Sequence, residues 1–454
     1  MKKSYEMDMC SGPVLGKILI YSFPLMLSGI LQLLFNAADV IVVGRYAGSQ
    51  SLAAVGSTGA LINLLINVFI GLSVGVNVLV AQYYGAKRDQ DVNETVHTAV
   101  AISLLSGVFL VALGLLVTRP LLELMGTPEE VLDQACLYMR IYFIGMPASM
   151  LYNFGAAILR AVGDTQRPLY FLFIAGIVNV LLNLFCVIVL HMGVEGVAIP
   201  TVISQCVSAT LVLLCLVKSD AVYRVNLKEL HIYKEKLLQM IKIGVPAGIQ
   251  SATFSISNVL IQSTINSFGS TVVAGSSASS NLEGFVYTAM NAFAQAAVTF
   301  TSQNMGARKY HNLDRVMRNC LLCAVVTGIL LGGGAALAGR QLLHFYSSDE
   351  AVIAAGYERL WIICGTYLLC GIMDTLASSL RGLGYSVLPM VVSLIGSCLL
   401  RLVWIATIFQ LNRTPFMLYI SYPISWVLTA SVHLICLLVV RRKLQKKGQN
   451  LQAA

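Results

Sequence analysis

The chain has 454 residues, of which 57% are hydrophobic and only 11% are charged. An average soluble domain has about 25% charged residues, so this composition excludes an ordinary soluble protein and indicates a polytopic membrane protein. The net charge of +9 does not point to a nucleic-acid partner, because the cations lie at the ends of apolar segments.

Apolar segments long enough to cross the bilayer as helices recur along the whole chain. We predict an all-α polytopic membrane protein with about twelve transmembrane helices. The first six predicted spans are residues 14–45, 52–84, 95–118, 131–159, 168–190 and 194–218. The second six are residues 237–267, 272–303, 313–339, 351–380, 387–411 and 414–440.

A long polar connection at about residues 219–236 separates the two groups of helices. We therefore predict an N-terminal six-helix lobe at 1–222 and a C-terminal six-helix lobe at 223–454. Lysine and arginine collect in alternate loops, in this connection and in the C-terminal tail. The positive-inside rule then predicts a cell-membrane protein with both termini and the connection in the cytoplasm.

The two predicted lobes repeat each other, because three sets of residues recur at a separation of 221 or 222 positions. The matching sets are Gln82 to Lys87 with Gln303 to Arg308, Leu159 to Gly163 with Leu380 to Gly384, and Pro24 and Asn36 with Pro246 and Asn258. Each half contains an even number of predicted helices, so both halves begin on the same membrane face. This predicts a parallel repeat with the substrate path between the halves.

One acidic residue, Asp39, lies inside the first apolar segment. A charged side chain at the bilayer centre costs about 2.5–3.5 kcal/mol on insertion scales, so such residues usually mark an ion or substrate path. Asn36 and Gln32 precede Asp39 by three and seven residues and share its helical face. The alternative is an aspartate near a helix end whose side chain reaches water.

Further amides and hydroxyls lie within the first half at helical spacing. Asn179 and Asn183 are four residues apart on the fifth predicted helix, and Thr201 follows Pro200 on the sixth. With Asp39, such oxygens could hold a proton or Na⁺. The alternative is that these groups only join helices, since interhelical polar contacts contribute about 0.6 kcal/mol on average.

The second half differs from the first, because Ile261 stands at the position that matches Asp39. Its polar candidates for the substrate cavity or for coupling are Glu283, Asp374, Arg401 and Asn258. Arg401 could neutralise Glu283 or Asp374 as a buried pair. Such a pair would be either a fixed structural contact or part of coupling and substrate binding.

Together these motifs resemble the multidrug and toxic compound extrusion (MATE) family over essentially the whole chain. The resemblance rests on Asp39 with Val42-Val43-Gly44, Leu52 to Gly56, Ala81 to Ala86, Leu159 to Thr165, and the second-half copies Gln303 to Ala307 and Leu380 to Gly382. It implies two six-helix lobes in a V around a central cavity. It also implies export of drug-like, often cationic and amphipathic compounds, driven by inward flow of H⁺ or Na⁺.

The resemblance also assigns residues. Asp39 matches the first-helix acid of the family's N-terminal cation site, Asn179 its fifth-helix asparagine and Thr201 its sixth-helix threonine. Asn183 stands where many members have aspartate, which removes one carboxylate. Asp374 resembles an acid that some members carry on the tenth helix.

We therefore predict an H⁺- or Na⁺-coupled antiporter that works by alternating access and acts on a small-molecule substrate from within the lipid bilayer. The transport alternative is a flippase or exporter of lipid-linked saccharides, which would favour a more basic cavity. An intramembrane enzyme would need a nucleophile–base or metal constellation at membrane depth. We expect no enzyme activity, no cofactor, no metal beyond a possible Na⁺ at Asp39, and a monomer.

Overall fold

The computed structural model describes residues 5–452, and those residues form α-helices and no β-strand. Eight of the described helices are long and apolar enough to cross a membrane, or up to ten if each of two bent helix pairs is one span. The predicted all-α membrane architecture is confirmed. The number of twelve transmembrane helices stays a prediction.

The described residues of the first half form seven α-helices. They are α1 (Val14–Val42), α2 (Ser49–Gly85), α3 (Asp89–Leu124), α4 (Glu129–Ile144), α5 (Met146–Ala161), α6 (Gln166–Leu184) and α7 (Glu195–Val217). Short π-helical turns, Val43–Ala47 and Phe185–Val189, extend α1 and α6. The helices α4 and α5 form a pair that is bent by 48°.

The second half is divided into more segments. They are α8 (Lys234–Asn266), α9 (Ser270–Gly306), α10 (Tyr310–Thr327), α11 (Gly334–Leu337), α12 (Gly339–His344), α13 (Glu350–Gly365), α14 (Tyr367–Gly382), α15 (Val387–Ser393), α16 (Leu400–Ala406), α17 (Ile408–Leu411), α18 (Pro415–Tyr419) and α19 (Ser421–Gln452). The helices α13 and α14 are bent by 43°. A π-helical turn, Leu394–Leu399, joins α15 to α16.

The repeat between the halves is visible in the backbone. Left-handed φ angles occur at Gly48 (92°) and Gly269 (93°), and at Gly163 (97°) and Gly384 (91°). Lys87 and Arg308 both have a φ of 56°, which is uncommon for residues other than glycine. All three pairs are 221 residues apart, so the repeat that the motifs predict is confirmed at the level of local structure.

The contacts divide the chain into two compact units. Unit 1 comprises Met1–Asp8 and Leu27–Ala252, and unit 2 comprises Met9–Met26 and Thr253–Ala454. Both divisions within helices fall shortly after a proline, at Pro24 in α1 and at Pro246 in α8. The lobe boundary predicted at 222/223 stays a prediction.

Within unit 1, α2 crosses the first part of α8 at very close range. A Cβ added at Gly71 would lie 2.3 Å from the backbone nitrogen of Gly248, and one added at Gly75 would lie 2.5 Å from the carbonyl oxygen of Met240. Gly71 and Gly75 form one small-residue pair, and Gly244 and Gly248 form the other. Such pairs let helix backbones pack directly in a membrane.

Within unit 2, the main apolar core lies where α9, α13, α14 and α19 pack together. Its buried members include Val286, Leu360, Leu376 and Trp426. On the same unit, Asn304 of α9 donates a hydrogen bond to the carbonyl of Met9 at 3.0 Å, which attaches the segment that precedes α1.

Candidate cation-binding site

The candidate site in unit 1 depends on a close approach between α1 and α6. A Cβ added at Gly176 would lie 1.9 Å from Cε2 of Phe35, so only glycine permits the observed packing. Asp39 lies one helical turn after Phe35, and Asn179 lies almost one turn after Gly176. The contact therefore brings the acid of α1 to the asparagines of α6.

Asp39, Asn179 and Asn183 form one hydrogen-bonded group. The side-chain Nδ2 of Asn183 donates to Oδ1 of Asp39 at 2.5 Å and to Oδ1 of Asn179 at 2.7 Å. Asn183 is fully buried, Asn179 is 7% exposed, and Asp39 is half-buried. The structure thus brings together the three residues on which the sequence prediction placed most weight.

The oxygen atoms of this group suit a small hard cation. The Oδ1 atom of Asn183 is buried and accepts no hydrogen bond among the described residues. An unpaired buried amide oxygen is costly. That cost falls if the oxygen binds a cation, or if the amide turns so that the oxygen accepts a hydrogen bond from a protonated Asp39. Carboxylate and amide oxygens are suitable ligands for such a cation.

Two tyrosines that sequence reasoning missed also lie near this group. Tyr138 and Tyr142 of α4 are close enough to Asp39 to interact with its charge. Their rings are 6.2 Å apart. Their spacing of four residues on one helix face was the available signal, but it cannot say which helix that face meets.

The other predicted residues of unit 1 do not join the hydrogen-bonded group. Thr201 donates its hydroxyl to the carbonyl of Val197 on its own helix at 2.9 Å. Asn36 and Gln32 are exposed and make no hydrogen bond within the described chain. A role for these three residues stays a prediction.

In unit 2 the predicted pairing of Arg401 with Glu283 is wrong. Glu283 instead forms a two-pronged ion pair with Arg359 of α13, with Nε–Oε1 and Nη2–Oε2 distances of 2.8 and 2.9 Å. Ser279 adds a third hydrogen bond to the carboxylate at 3.0 Å. Arg359 lies 76 residues from Glu283, so no local pattern in the sequence links the two residues. Helix packing alone decides which arginine faces the acid.

The remaining candidates of unit 2 have separate surroundings. Asp374 of α14 is half-buried, with Tyr287 as a hydrogen-bond partner and Arg381 close enough to balance its charge. Asn258 of α8 is exposed and makes no hydrogen bond within the described chain. Arg401 donates a hydrogen bond to Ser425 and forms no ion pair with Glu283 or Asp374.

Comparison with known proteins shows the family to which the chain belongs. The family model described as MatE matches residues 24–185 and again residues 246–407. The chain is 30% identical to the "Probable multidrug resistance protein YoeA" of Bacillus subtilis, over 83% of this chain and 82% of the relative. It is 21% identical to the "Multidrug export protein MepA" of Staphylococcus aureus, over 82% of each chain.

A solved structure has the same fold. It is described as the "Outward-facing conformation of a multidrug resistance MATE family transporter of the MOP superfamily", and it aligns with a TM-score of 0.91. The alignment covers 98% of this chain and 100% of the other at 21% sequence identity.

Proposed function

This chain belongs to the MatE family of multi-pass membrane transporters, and we propose that it exports amphipathic organic compounds in exchange for H⁺ or Na⁺ by alternating access. As a transporter it is not an enzyme. The names of the relatives refer to multidrug resistance and export, which favours a drug-like substrate over a lipid-linked saccharide.

The observation that carries the coupling proposal is the hydrogen-bonded group of Asp39, Asn183 and Asn179. In the geometry described, Asn183 presents its NH₂ group to the carboxylate and leaves its Oδ1 without a donor. Rotation of this amide by half a turn would present Oδ1 to a protonated Asp39 or to a bound Na⁺. Cation binding therefore exchanges one set of contacts between α1 and α6 for another.

This exchange gives the cation a means to drive transport. A ligand shifts a conformational equilibrium only if it binds the two states with different affinity. The α1–α6 contact at Phe35 and Gly176 is tight, so a change at Asp39 is transmitted directly to the packing of α1. We propose that cation binding at Asp39 from outside favours the state that releases substrate outward.

We propose cationic amphipathic compounds as the preferred substrates. Asp39 accepts its hydrogen bond from the neutral Asn183, so its carboxylate can attract positive charge in unit 1, whereas Arg359 neutralises Glu283 in unit 2. A cationic substrate and the coupling cation would then compete for the same negative charge, which is one simple basis for exchange.

The test is transport in proteoliposomes with each ion gradient imposed separately. We expect an outwardly directed gradient of one ion, H⁺ or Na⁺, to drive uptake of a cationic dye in exchange for that ion. A gradient of the other ion alone should drive no uptake. A dye flux that is the same with and without either gradient would contradict coupled export. Protein-free liposomes provide the background.

We further propose that the chain acts as a monomer in the cell membrane with both termini in the cytoplasm. The support for the orientation is the accumulation of Lys and Arg in alternate loops. A protease added to intact cells should leave a tag at either terminus uncut, and it should remove the tag after the cells are lysed. Removal of either tag before lysis would contradict the orientation.

A further inference from the structure

Arg401, near the start of α16, is a buried cation that lacks an acidic partner. It is 4% exposed, and no carboxylate of the described residues forms an ion pair with it. Its Nε donates to Oγ of Ser425 at 2.9 Å. A buried charge normally requires an opposite charge, so this arginine needs another source of stabilisation.

Aromatic rings of unit 2 supply that stabilisation. The Cζ atom of Arg401 lies 4.1 Å from the centroid of the Tyr422 ring and 5.7 Å from that of Trp426. Trp426 in turn stacks on Tyr367, with centroids 5.4 Å apart and planes at 18°. The negative faces of such rings attract a cation, most strongly away from water. We call Tyr422, Trp426 and Tyr367 the aromatic box.

The repeat relates this place to the candidate site of unit 1. The two family matches begin at residues 24 and 246 and end at 185 and 407, which is a register of 222 at both ends. In that register Arg401 corresponds to Asn179, and Ile261 corresponds to Asp39. Pro168 and Pro389 differ by 221, and the π-helical turn Leu394–Leu399 between Pro389 and Arg401 accommodates the extra residue.

The two pairs of corresponding residues differ in opposite ways: one loses a negative charge in the second copy, and the other gains a positive charge there. Ile261 is 1% exposed and packs in an apolar cluster with Phe409 and Leu418. The second copy has therefore lost the acid that corresponds to Asp39 and gained a positive charge at the position of Asn179.

We propose that Arg401 is a tethered cation, which occupies in the second copy the place that an exchangeable cation occupies in the first. The aromatic box holds the guanidinium permanently, so this place takes no cation from solution. The inference rests on the proposed function for its statement that Asp39 binds an exchangeable cation. It follows that the two copies are not equivalent and that Asp39 accounts for cation binding.

The first experiment removes the tether and supplies the cation. In detergent, Arg401→Ala should have a lower Tm than wild type, and methylguanidinium should restore much of the loss in a saturable manner. Wild type should not respond. Arg340→Ala is the matched control, because Arg340 lies 5.4 Å from the ring of Tyr357 but is exposed. Absence of saturable stabilisation in folded Arg401→Ala would overturn the proposal.

The second experiment needs no variant at Arg401 and counts cation sites in wild type. Equilibrium titration with Na⁺, and proton uptake measured separately, should give one site per chain that Asp39→Asn removes. Two sites, or one that survives in Asp39→Asn, would overturn the proposal. If wild type binds neither cation while methylguanidinium stabilises Arg401→Ala, cation exchange fails and the tethered cation in its aromatic box stands.

A converse variant tests the same relation. Ile261→Asp combined with Arg401→Asn and Ile405→Asn re-creates in the second copy the residue types of Asp39, Asn179 and Asn183. We expect the folded triple variant to bind a second cation. A folded triple variant that still binds one cation would contradict the equivalence of the two places.

Discussion

The carboxylate of Asp39 lies within a membrane-spanning helix and accepts its hydrogen bond from an asparagine rather than from a cationic side chain. Asn183 stabilises the carboxylate without neutralising it. The hydrogen-bond partner of Asp39 therefore supplies no counter-charge, whereas the charge of Glu283 is balanced by Arg359. These two acids within membrane helices of one chain therefore differ in whether a cationic side chain neutralises them.

Replacement of Asp39 by asparagine should abolish coupled export while the protein still folds. Charge-assisted contacts contribute about 1.5–3 kcal/mol each, so their loss should weaken cation binding by about tenfold or more. The measurement is dye flux in proteoliposomes with the driving gradient imposed. Asp133→Asn is the control, since its side chain is 86% exposed. Flux equal to wild type in Asp39→Asn would refute the coupling role.

Glu283→Gln should destabilise the protein by about 3–5 kcal/mol, because it leaves the buried guanidinium of Arg359 without its counter-charge. Glu283→Met combined with Arg359→Met should recover most of that loss. Thermal or denaturant unfolding in detergent measures both. The exposed pair of Arg119 and Glu123 is the comparison, and Glu123→Gln should have little effect on stability because water screens the pair. A small effect of Glu283→Gln would mean that the pair is solvated.

At the scale of helices, glycines decide where the chain can bring functional groups together. Gly176 admits Phe35 between α1 and α6, and Gly71 and Gly248 admit the backbone contact between α2 and α8. No hydrophobic effect drives helices together within a bilayer, so close packing of small residues stabilises their association instead.

Gly176→Val should weaken cation binding more than it disturbs folding. Overpacking of this kind typically costs about 1–3 kcal/mol, and a displacement of α1 would lengthen the contact of 2.5 Å between Asn183 and Asp39. Na⁺ titration or proton uptake measures the affinity, and we expect a loss of about tenfold or more. Gly59→Val in α2 is the matched control, because its added Cβ meets no atom within 4 Å. Equal affinities of the two variants would separate the α1–α6 contact from cation binding.

At the scale of the whole molecule, the chain does not divide into its compact units at the polar connection. Residues at the start of α8 pack within unit 1: Lys236 is 5% exposed, pairs with Asp91 and lies 3.7 Å from Glu94. The same stretch of α8 carries Gly244 and Gly248, which contact α2. A long segment that follows the connection is therefore integrated into the fold of the first half.

A cut in the polar connection should consequently leave one particle. With a protease site inserted between Leu230 and His231, the two fragments should co-elute from size-exclusion chromatography in detergent, because residues 234–252 remain packed in unit 1. Gly71→Leu combined with the same cut should promote their separation, since a large side chain cannot fit against Gly248. Complete separation of the fragments without that substitution would contradict this packing.

Much of the fold and part of the candidate site were predictable from local patterns. Apolar length predicts membrane helices because each backbone hydrogen bond must be satisfied within the helix. The spacing of Asn179 and Asn183 placed them on one face, and the unusual Asp39 marked the second helix of the group. Tyr138, Tyr142 and Arg359 were not predicted, because their relevance depends on which helices their faces meet.

Segment length, composition and register are properties of the linear chain, and they suffice to identify a helical membrane protein with an internal repeat. Which charges are paired depends instead on how the helices pack. The azimuth and crossing of each helix place Arg359 against Glu283 and leave Arg401 facing aromatic rings, and they bring Asn183 to Asp39. These outcomes depend on contacts between distant helices, which small side chains such as Gly176 permit and which no local pattern encodes.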